Sequence, residues 1–364
     1  MKYIVSVIVF CLLLPFMCIS VNASRDTYSG LFEALPSEAQ ELLYDFGISE
    51  DVYKSYGDIS PKKVFAVLGE LFTGEIKAPM KTAGTVLSLI FISSLLTTLI
   101  PEKNGVSQLG KRAALMCIMF LILSTTGDVF SGLTAGVKLT ENFMLALIPV
   151  FAGIVSFSGN PSLALSFNTV VFAFAQAVTM FFENIFPVLS VLLICIISAA
   201  AINPLVRLDN VGKTVSKIVN LLMAFVAGIF VAILSVRGVI AGAADTVTIR
   251  GVRFLVGNTL PIVGSAIGEA LNSIVAGLSL IKNSVGVIGI AAVIVINLPV
   301  LIKVIIWKLS LYFIGLAGDI MGFNEVRSFS ENMNSVLSVI VAALCYISFV
   351  FIISIAILLT ISKG

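Results

Sequence analysis

Long apolar runs separated by short polar stretches dominate the chain from residue 82 to its C-terminus. A helix that crosses the hydrocarbon core of a bilayer needs about 20 apolar residues. The pattern therefore predicts an all-α polytopic membrane protein with about eight transmembrane helices, within a range of about seven to nine. The candidate spans are residues 82–100, 113–130, 143–157, 163–182, 185–202, 219–236, 287–306, 309–320 and 336–361.

Prolines interrupt several of these runs. A proline in a membrane helix frees a backbone carbonyl, and such positions often line cavities or substrate paths. We expect the helices to break at these positions and some segments to be re-entrant, with simple kinks as the alternative. The predicted breaks are at Pro149, Pro187, Pro261 and Pro299.

The first 23 residues have the order of a signal peptide. Lys2 precedes an apolar run, and Val21-Asn22-Ala23 is a small-residue cleavage pattern. We expect cleavage between Ala23 and Ser24, which places the mature N-terminus outside the cytoplasm.

Residues 24–80 form the only sizeable polar region, and we expect it to be extracytoplasmic. Ser37 can cap a helix, and the apolar residues that follow recur at helical spacing. The region is predicted to contain short amphipathic helices that lie on the membrane or against a partner, with a loosely ordered spacer as the alternative. The apolar face of the first helix comprises Leu35, Leu42, Leu43 and Phe46.

The membrane part divides into a two-helix segment at 81–132, a first half at 143–240 and a second half at 250–361. Pro149 and Pro261 are separated by 112 residues, and so are Pro187 and Pro299. Asn160 and Asn272 have the same separation, which suggests a parallel internal repeat of the kind found in transporters. Chance matches within an apolar chain are the alternative.

Basic residues are concentrated in two short connectors. The connector at 101–112 contains Lys103, Lys111 and Arg112, and the connector at 205–217 contains Arg207, Lys213 and Lys217. Short cationic loops are retained on the cytoplasmic side of a membrane. We expect both connectors to face the cytoplasm.

Composition narrows the chemistry. Hydrophobic residues make up 59% of the chain and charged residues 12%, and there is no histidine. A histidine-based triad or zinc site is therefore impossible, and no phosphate-binding glycine loop or paired CxxC occurs. We expect no enzymatic activity, no cofactor and no nucleic-acid partner, and any energy must come from a gradient or another protein.

The segment 253–286 combines apolar residues with an unusual number of polar ones. Ionisable groups at membrane depth are costly unless they pair or face water. Glu269 and Lys282 are 13 residues apart, so they cannot pair along one straight helix. A water-lined path and a structural polar network remain equal alternatives. The candidate pore or partner contacts are Asn258, Pro261, Glu269, Asn272, Lys282 and Asn283.

Other charges lie at the edges of apolar runs. Glu183 is predicted at a membrane interface between two runs. Lys303 and Lys308 flank Trp307, and we expect these lysines to reach toward the lipid headgroups with Trp307 in the aromatic belt.

The same segment resembles a known family, stage III sporulation protein AE of endospore-forming bacteria. Asn272 departs from the family pattern, which has Asp there, so the resemblance does not extend to a role that needs a charge at this position. The residues that carry the resemblance are Phe254, Asn258, Pro261, Val263, Gly264, Glu269, Ala270, Ser273, Lys282, Asn283 and Gly286.

The resemblance implies a membrane component of the stage III A channel or secretion complex in the mother-cell membrane around the forespore. Its implied partners are the other stage III A membrane and ring-forming proteins, and through them the forespore stage II protein Q. Two alternatives remain open. One is a secondary transporter or permease for a small solute, and the other is an anchor that only organises ring-forming partners.

Overall fold

A computed structural model of the chain describes residues 35, 37–46, 61–99, 105–202, 211–259 and 264–361, with the backbone alone at 249–259, at 264–284 and at a few helix-end positions. All elements in these ranges are helical. They are α1 (Ser37–Asp45), α2 (Pro61–Glu75), α3 (Lys77–Leu99), α4 (Gly105–Phe157), α5 (Pro161–Met180), a π-helix (Phe181–Ile185), α6 (Phe186–Ile202), α7 (Val211–Thr259), α8 (Gly264–Ile320) and α9 (Asn324–Ile361).

Glycines make two tight turns in the described part of the chain. Gly159 ends α4 with a φ of 91°, and Gly322 ends α8 with a φ of 75°, a region that side chains with a Cβ rarely adopt. Pro161 then opens α5 at the first helical position, where its missing N–H costs no helical hydrogen bond.

Six helical stretches in the described part of the chain are long and apolar enough to cross a membrane. Seven to nine separate spans were expected from the sequence, and that number is wrong because pairs of predicted spans join into one helix. The polar stretch 131–142 continues inside α4, which has 53 residues. Since it contains no proline, nothing in it forces the helix to end. The six stretches are Lys77–Leu96, Leu109–Phe157, Pro161–Ile202, Gly212–Thr248, Val285–Ile320 and Asn324–Thr360.

Two of the four predicted helix breaks are also wrong. Pro149 lies inside α4 and Pro299 lies inside α8, so neither proline ends its helix. A proline deprives only one carbonyl of its partner, and neighbouring helices can compensate for it. Pro187 is the second residue of α6, directly after the π-helix, and Pro261 lies outside the described residues.

The long helices form a bundle with two defined ends. At the basal end, Lys111 Nζ lies 5.8 Å from the ring centroid of Phe323, and the N–H of Gly212 donates to Asn332 Oδ1 at 2.9 Å. At the distal end, Asp245 on α7 bonds to the first turn of α5. Helices α4, α7 and α9 therefore run from basal to distal, and α8 runs the other way.

Helices α8 and α9 form the centre of the bundle. Just over half of the most apolar window of each is buried, whereas less than a quarter of the corresponding windows of α7 and of the α5–α6 stretch is buried. The largest fully buried side chains include Trp307, Phe329 and Phe351. The outer helices therefore present apolar surface to their surroundings.

The described part of the polar N-terminal region packs on α8. Helix α1 contacts α8 and buries Leu35, Leu43 and Phe46, three of the four residues of the predicted apolar face. Helix α2 also contacts α8, and Glu75 Oε2 at its end lies 3.9 Å from Lys303 Nζ. The N-terminal helices therefore lie against the side of the bundle, partway along its length.

The anchors of the predicted repeat differ in local structure. Asn160 precedes α5 in the turn after α4, whereas Asn272 lies within α8. Pro187 follows a π-helix, whereas Pro299 lies in the interior of an α-helix.

Candidate functional site

The polar residues predicted to be functional fall where side chains are not described. Asn258 is in the last turns of α7 and Glu269, Asn272, Lys282 and Asn283 are in α8, while Pro261 lies outside the described residues. The cleavage site at Ala23 and Ser24 also lies outside them. Their roles stay predictions.

Gly286, at the end of that segment, marks a close helix contact. A Cβ placed on Gly286 would lie 2.6 Å from Leu359 Cδ1, and one on Gly289 would lie 2.9 Å from Leu147 Cδ2. Real Cβ atoms do not approach neighbours so closely, so these two glycines let α8 approach α9 and α4.

A second group of polar residues lies midway along the bundle, and we call this group the polar level. It consists of Lys138, Thr140, Glu141, Gln176, Glu183 and Asn297. Lys138 Nζ on α4 donates to Glu183 Oε1 on the π-helix at 2.9 Å. The side chain of Lys138 is 60% exposed and that of Glu183 32% exposed. Glu183 was predicted at an interface, but nothing in the sequence indicated that Lys138 would be its partner.

A buried carboxylate lies one turn further along α4. Glu141 is 6% exposed, and its Oε1 accepts a hydrogen bond from Gln176 Nε2 on α5 at 2.8 Å. Burying a carboxylate is expensive unless it is hydrogen-bonded or paired. Glu141 and Gln176 therefore connect the two arms of the α4–α5 hairpin. Because Glu141 is buried, loss of this hydrogen bond would be costly.

The polar level reaches α8 through Thr140 and Asn297. Asn297 Nδ2 donates to Thr140 Oγ1 at 3.0 Å and to the carbonyl of Val293 at 2.9 Å. Asn297 Oδ1 is buried without a hydrogen-bond partner, and it lies 3.6 Å from where a Cβ on Gly136 would be. Such unpaired acceptors are uncommon in folded proteins. Asn297 Oδ1 is therefore free to accept a hydrogen bond from an added donor.

The π-helix supplies one side of the polar level. The N–H of Phe186 bonds to the carbonyl of Phe181, five residues earlier, which is the π-helical pattern. Pro187 follows and has no N–H, and Asn184 Nδ2 bonds to the carbonyl of Met180 at 3.1 Å. Single π-turns inside longer helices are frequent at functional sites.

Lys303, Trp307 and Lys308 do not form the predicted interfacial group. Trp307 is 1% exposed and belongs to the core, so the aromatic-belt prediction is wrong. Lys308 Nζ donates to Ser338 Oγ on α9 and to the carbonyl of Asn334. Lys308 therefore joins α8 to α9, where Asn334 and Ser338 supply the oxygen acceptors.

The basal end carries a network of charged groups. Arg327 bonds to Asp319 at 2.7 Å and to Glu331 at 3.0 Å, and Glu331 also accepts from Lys213 at 2.8 Å. This network joins α7, α8 and α9. Lys111 and Lys213, from the two basic connectors, thus lie at the same end of the bundle.

One sizeable cavity, of about 380 Å³, lies between α5, the π-helix, α6, α7 and α9. Its lining includes Phe174, Phe182, Met223 and Tyr346. Almost all of that lining is apolar, so it is unsuited to a polar ligand. Among the described residues, no three His, Cys, Asp or Glu side chains are grouped to hold a metal ion.

Comparison with known proteins gives the family. The family model for stage III sporulation protein AE matches residues 47–362 of this chain. The chain belongs to this family. Stage III sporulation protein AE of Bacillus subtilis (strain 168) is 27% identical over 352 residues, which cover 93% of this chain and 83% of that protein. No solved structure matches the chain significantly.

Family membership confirms the resemblance carried by residues 254–286, but the sequence did not reveal the polar level. Lys138 and Glu141 lie between the candidate spans 113–130 and 143–157, and Asn297 is a single amide in an apolar run. The spacing of Lys138 and Glu141 could have indicated the polar level, because residues three apart share one face of a helix.

Proposed function

We propose that this protein is a membrane component of a trans-envelope channel or secretion complex that endospore development requires, linking mother cell and forespore. The observation that carries the proposal is the extent of the family match, which covers residues 47–362. That range contains all six stretches in the described part of the chain that are long and apolar enough to cross a membrane. The role is non-enzymatic, as part of the passage or of its anchor.

The proposed partners are the other stage III A membrane and ring-forming proteins, and through them the forespore stage II protein Q. The proposed location is the mother-cell membrane around the forespore. The apolar surface on α6 and α7 supports a position within a membrane, because such surface must face lipid or another membrane protein.

The proposed orientation puts the basal end in the cytoplasm. Lys111, Arg112, Lys213 and Lys217 lie at or near that end, in agreement with the retention of basic residues on the cytoplasmic side. Glu75 at the end of α2 lies beside Lys303 on α8, well above the basal end, which supports an extracytoplasmic position for the region after the signal peptide.

Co-purification from sporulating cells tests the proposal. We expect a tagged full chain to retain other stage III A proteins after mild solubilisation, and deletion of its gene to block sporulation after engulfment. Lys282→Met should reduce sporulation while an immunoblot shows near-normal protein, because the side-chain length is kept and only the charge is lost. A chain that purifies without those partners and that is dispensable for sporulation would contradict the proposal.

A secondary transporter is the second candidate, and the polar level favours it. Buried polar groups such as Glu141 and Asn297 at mid-length of a membrane bundle are typical of transport sites. A transporter should move one small solute in proteoliposomes that contain this chain alone. A component of a complex should be inactive there without its partners.

A further inference from the structure

The cavity between α5, the π-helix, α6, α7 and α9 lies where two neighbouring helices do not close on each other. Helix α6 packs mainly on α9 and has little contact with α7. Leu189 from α6 and Leu222 from α7 both line the cavity, and Tyr346 from α9 is also part of its lining. The cavity therefore occupies the space that separates α6 from α7.

The cavity leads from the surface of the bundle toward its core. Three of its lining residues, Leu189, Leu222 and Val226, are each about half exposed. Two others, Phe182 and Ala343, are buried. A molecule in the surroundings can therefore enter between α6 and α7 and reach buried side chains.

The chemistry of the cavity and of its mouth is apolar. None of the described residues that line it is charged. The residues beside the mouth are also apolar and largely exposed, among them Val188 and Val191 on α6 and Leu221 and Phe225 on α7. Water does not stably fill an apolar cavity, and surface of this kind in a membrane protein faces lipid. The occupant must therefore be apolar and available from the bilayer.

The size of the cavity decides between lipid and protein. Its volume is about 380 Å³, whereas one turn of an α-helix with its side chains occupies roughly 400–600 Å³. A helix of a partner therefore cannot enter. At about 30 Å³ for a water-sized group, the cavity holds roughly a dozen methylene-sized groups, which is the scale of a lipid acyl chain.

We propose that this cavity binds one acyl chain of a membrane phospholipid, which enters between α6 and α7 and replaces the contact that these helices do not make. The acyl chain covers Phe182, Met223 and Tyr346, and the headgroup stays outside the cavity. The proposal requires that the protein lie in a membrane, but it requires neither a sporulation role nor a partner. It can therefore fail while the proposed function holds, and the reverse.

The test uses the full chain purified in glyco-diosgenin, a detergent with a rigid steroid body in place of an acyl chain. Native mass spectrometry should show one phospholipid retained per chain. After extended washing has removed it, dioleoylphosphatidylcholine should raise the unfolding temperature, because a ligand that binds only the folded state stabilises that state. Dihexanoylphosphatidylcholine has the same headgroup on much shorter chains, and it should raise the unfolding temperature far less.

A filled variant and its matched control locate the site. Ala177→Phe with Val226→Phe fills the cavity from two exposed lining positions, so the buried core is not disturbed. This variant should lose both the retained phospholipid and the response to dioleoylphosphatidylcholine. Ala173→Phe with Val236→Phe makes the same substitutions at exposed positions of the same two helices outside the cavity lining, and it should keep both. The comparison of the two lipids on the unaltered chain does not depend on how the variants fold.

Three results would overturn the proposal. A filled variant that retains phospholipid as the wild type does would mean that the lipid binds elsewhere. Equal responses to the two phosphatidylcholines would mean that the headgroup is recognised and the acyl chain is not. A wild type with no retained phospholipid and no response to either lipid would mean that lipid does not occupy the cavity. If the filled variant then also changed the oligomeric state, side chains of a second copy would be the occupant.

Discussion

The carboxylate of Asp245 on α7 accepts a hydrogen bond from the backbone N–H of Leu163 on α5 at 2.9 Å, and a second from Ser162 at 3.2 Å. Asp245 is 3% exposed. Asn160, the residue directly before α5, makes no side-chain hydrogen bond that caps the helix. A residue more than 80 positions away therefore caps the helix and fixes α7 to the tip of the α4–α5 hairpin.

Removal of this cap should destabilise the protein. Asp245→Ala leaves two backbone N–H groups without an acceptor and removes a negative charge from a helix N-terminus, so we expect a loss of about 1–2 kcal/mol in the free energy of unfolding. Thermal or denaturant unfolding in detergent measures it. Asp128→Ala is the control because Asp128 is exposed and should change little. Equal stability of the two variants would show that the cap contributes nothing.

The hydrogen bond between Gln176 and Glu141 should contribute to stability only while the Glu141 carboxylate is present. Gln176→Leu leaves the buried Glu141 carboxylate without its donor, and we expect a loss of about 1–3 kcal/mol. The double variant Glu141→Met with Gln176→Leu should recover most of it, because replacement of both polar partners by apolar groups is often neutral. Denaturant unfolding of the wild type, Glu141→Met, Gln176→Leu and the double variant gives the coupling energy between the two side chains. A double variant no more stable than Gln176→Leu would contradict this explanation.

A serine at position 136 should stabilise the bundle by satisfying Asn297. The Cβ position of Gly136 is 3.6 Å from Asn297 Oδ1 and 3.5 Å from Val300, so a small side chain fits. A Gly136→Ser hydroxyl can donate to the unpaired Oδ1, for a gain of about 1 kcal/mol over Gly136→Ala. The comparison with alanine removes the change in helix propensity from glycine. A serine variant less stable than the alanine variant would show that no such bond forms.

An added methyl group at Gly286 should be poorly tolerated. Gly286→Ala places a Cβ 2.6 Å from Leu359 Cδ1, so the end of the Leu359 side chain must move, and we expect a cost of about 1 kcal/mol, the low end for overpacking. Gly127→Ala is the matched control, because nothing lies within 4 Å of its Cβ position. Unfolding in detergent should separate the two variants. Leu359→Ala should partly rescue Gly286→Ala, and failure to do so would place the cause elsewhere.

Some features follow directly from the order of residues. The apolar runs require an all-α membrane architecture, since backbone polar groups in lipid must be satisfied within each segment. The apolar face of α1 was predicted from helical spacing, and Leu35, Leu43 and Phe46 are buried. The motif around Glu269 and Lys282 indicated the family. In each case the information is local, either the period of one helix or the identity of nearby residues.

Other features depended on the tertiary structure, because they are decided by contacts between distant segments. Residues 131–142 are polar enough to suggest a loop, yet they remain helical where Glu183, Gln176 and Asn297 supply partners. Trp307 and Lys308 looked interfacial, but Trp307 is buried in the core and Lys308 bonds to α9. Hydrophobicity fixes the kind of surroundings that each residue needs. Only the packing of α4, α5, α8 and α9 decides which neighbour provides them, and therefore where helices continue and where Asp245 becomes a cap.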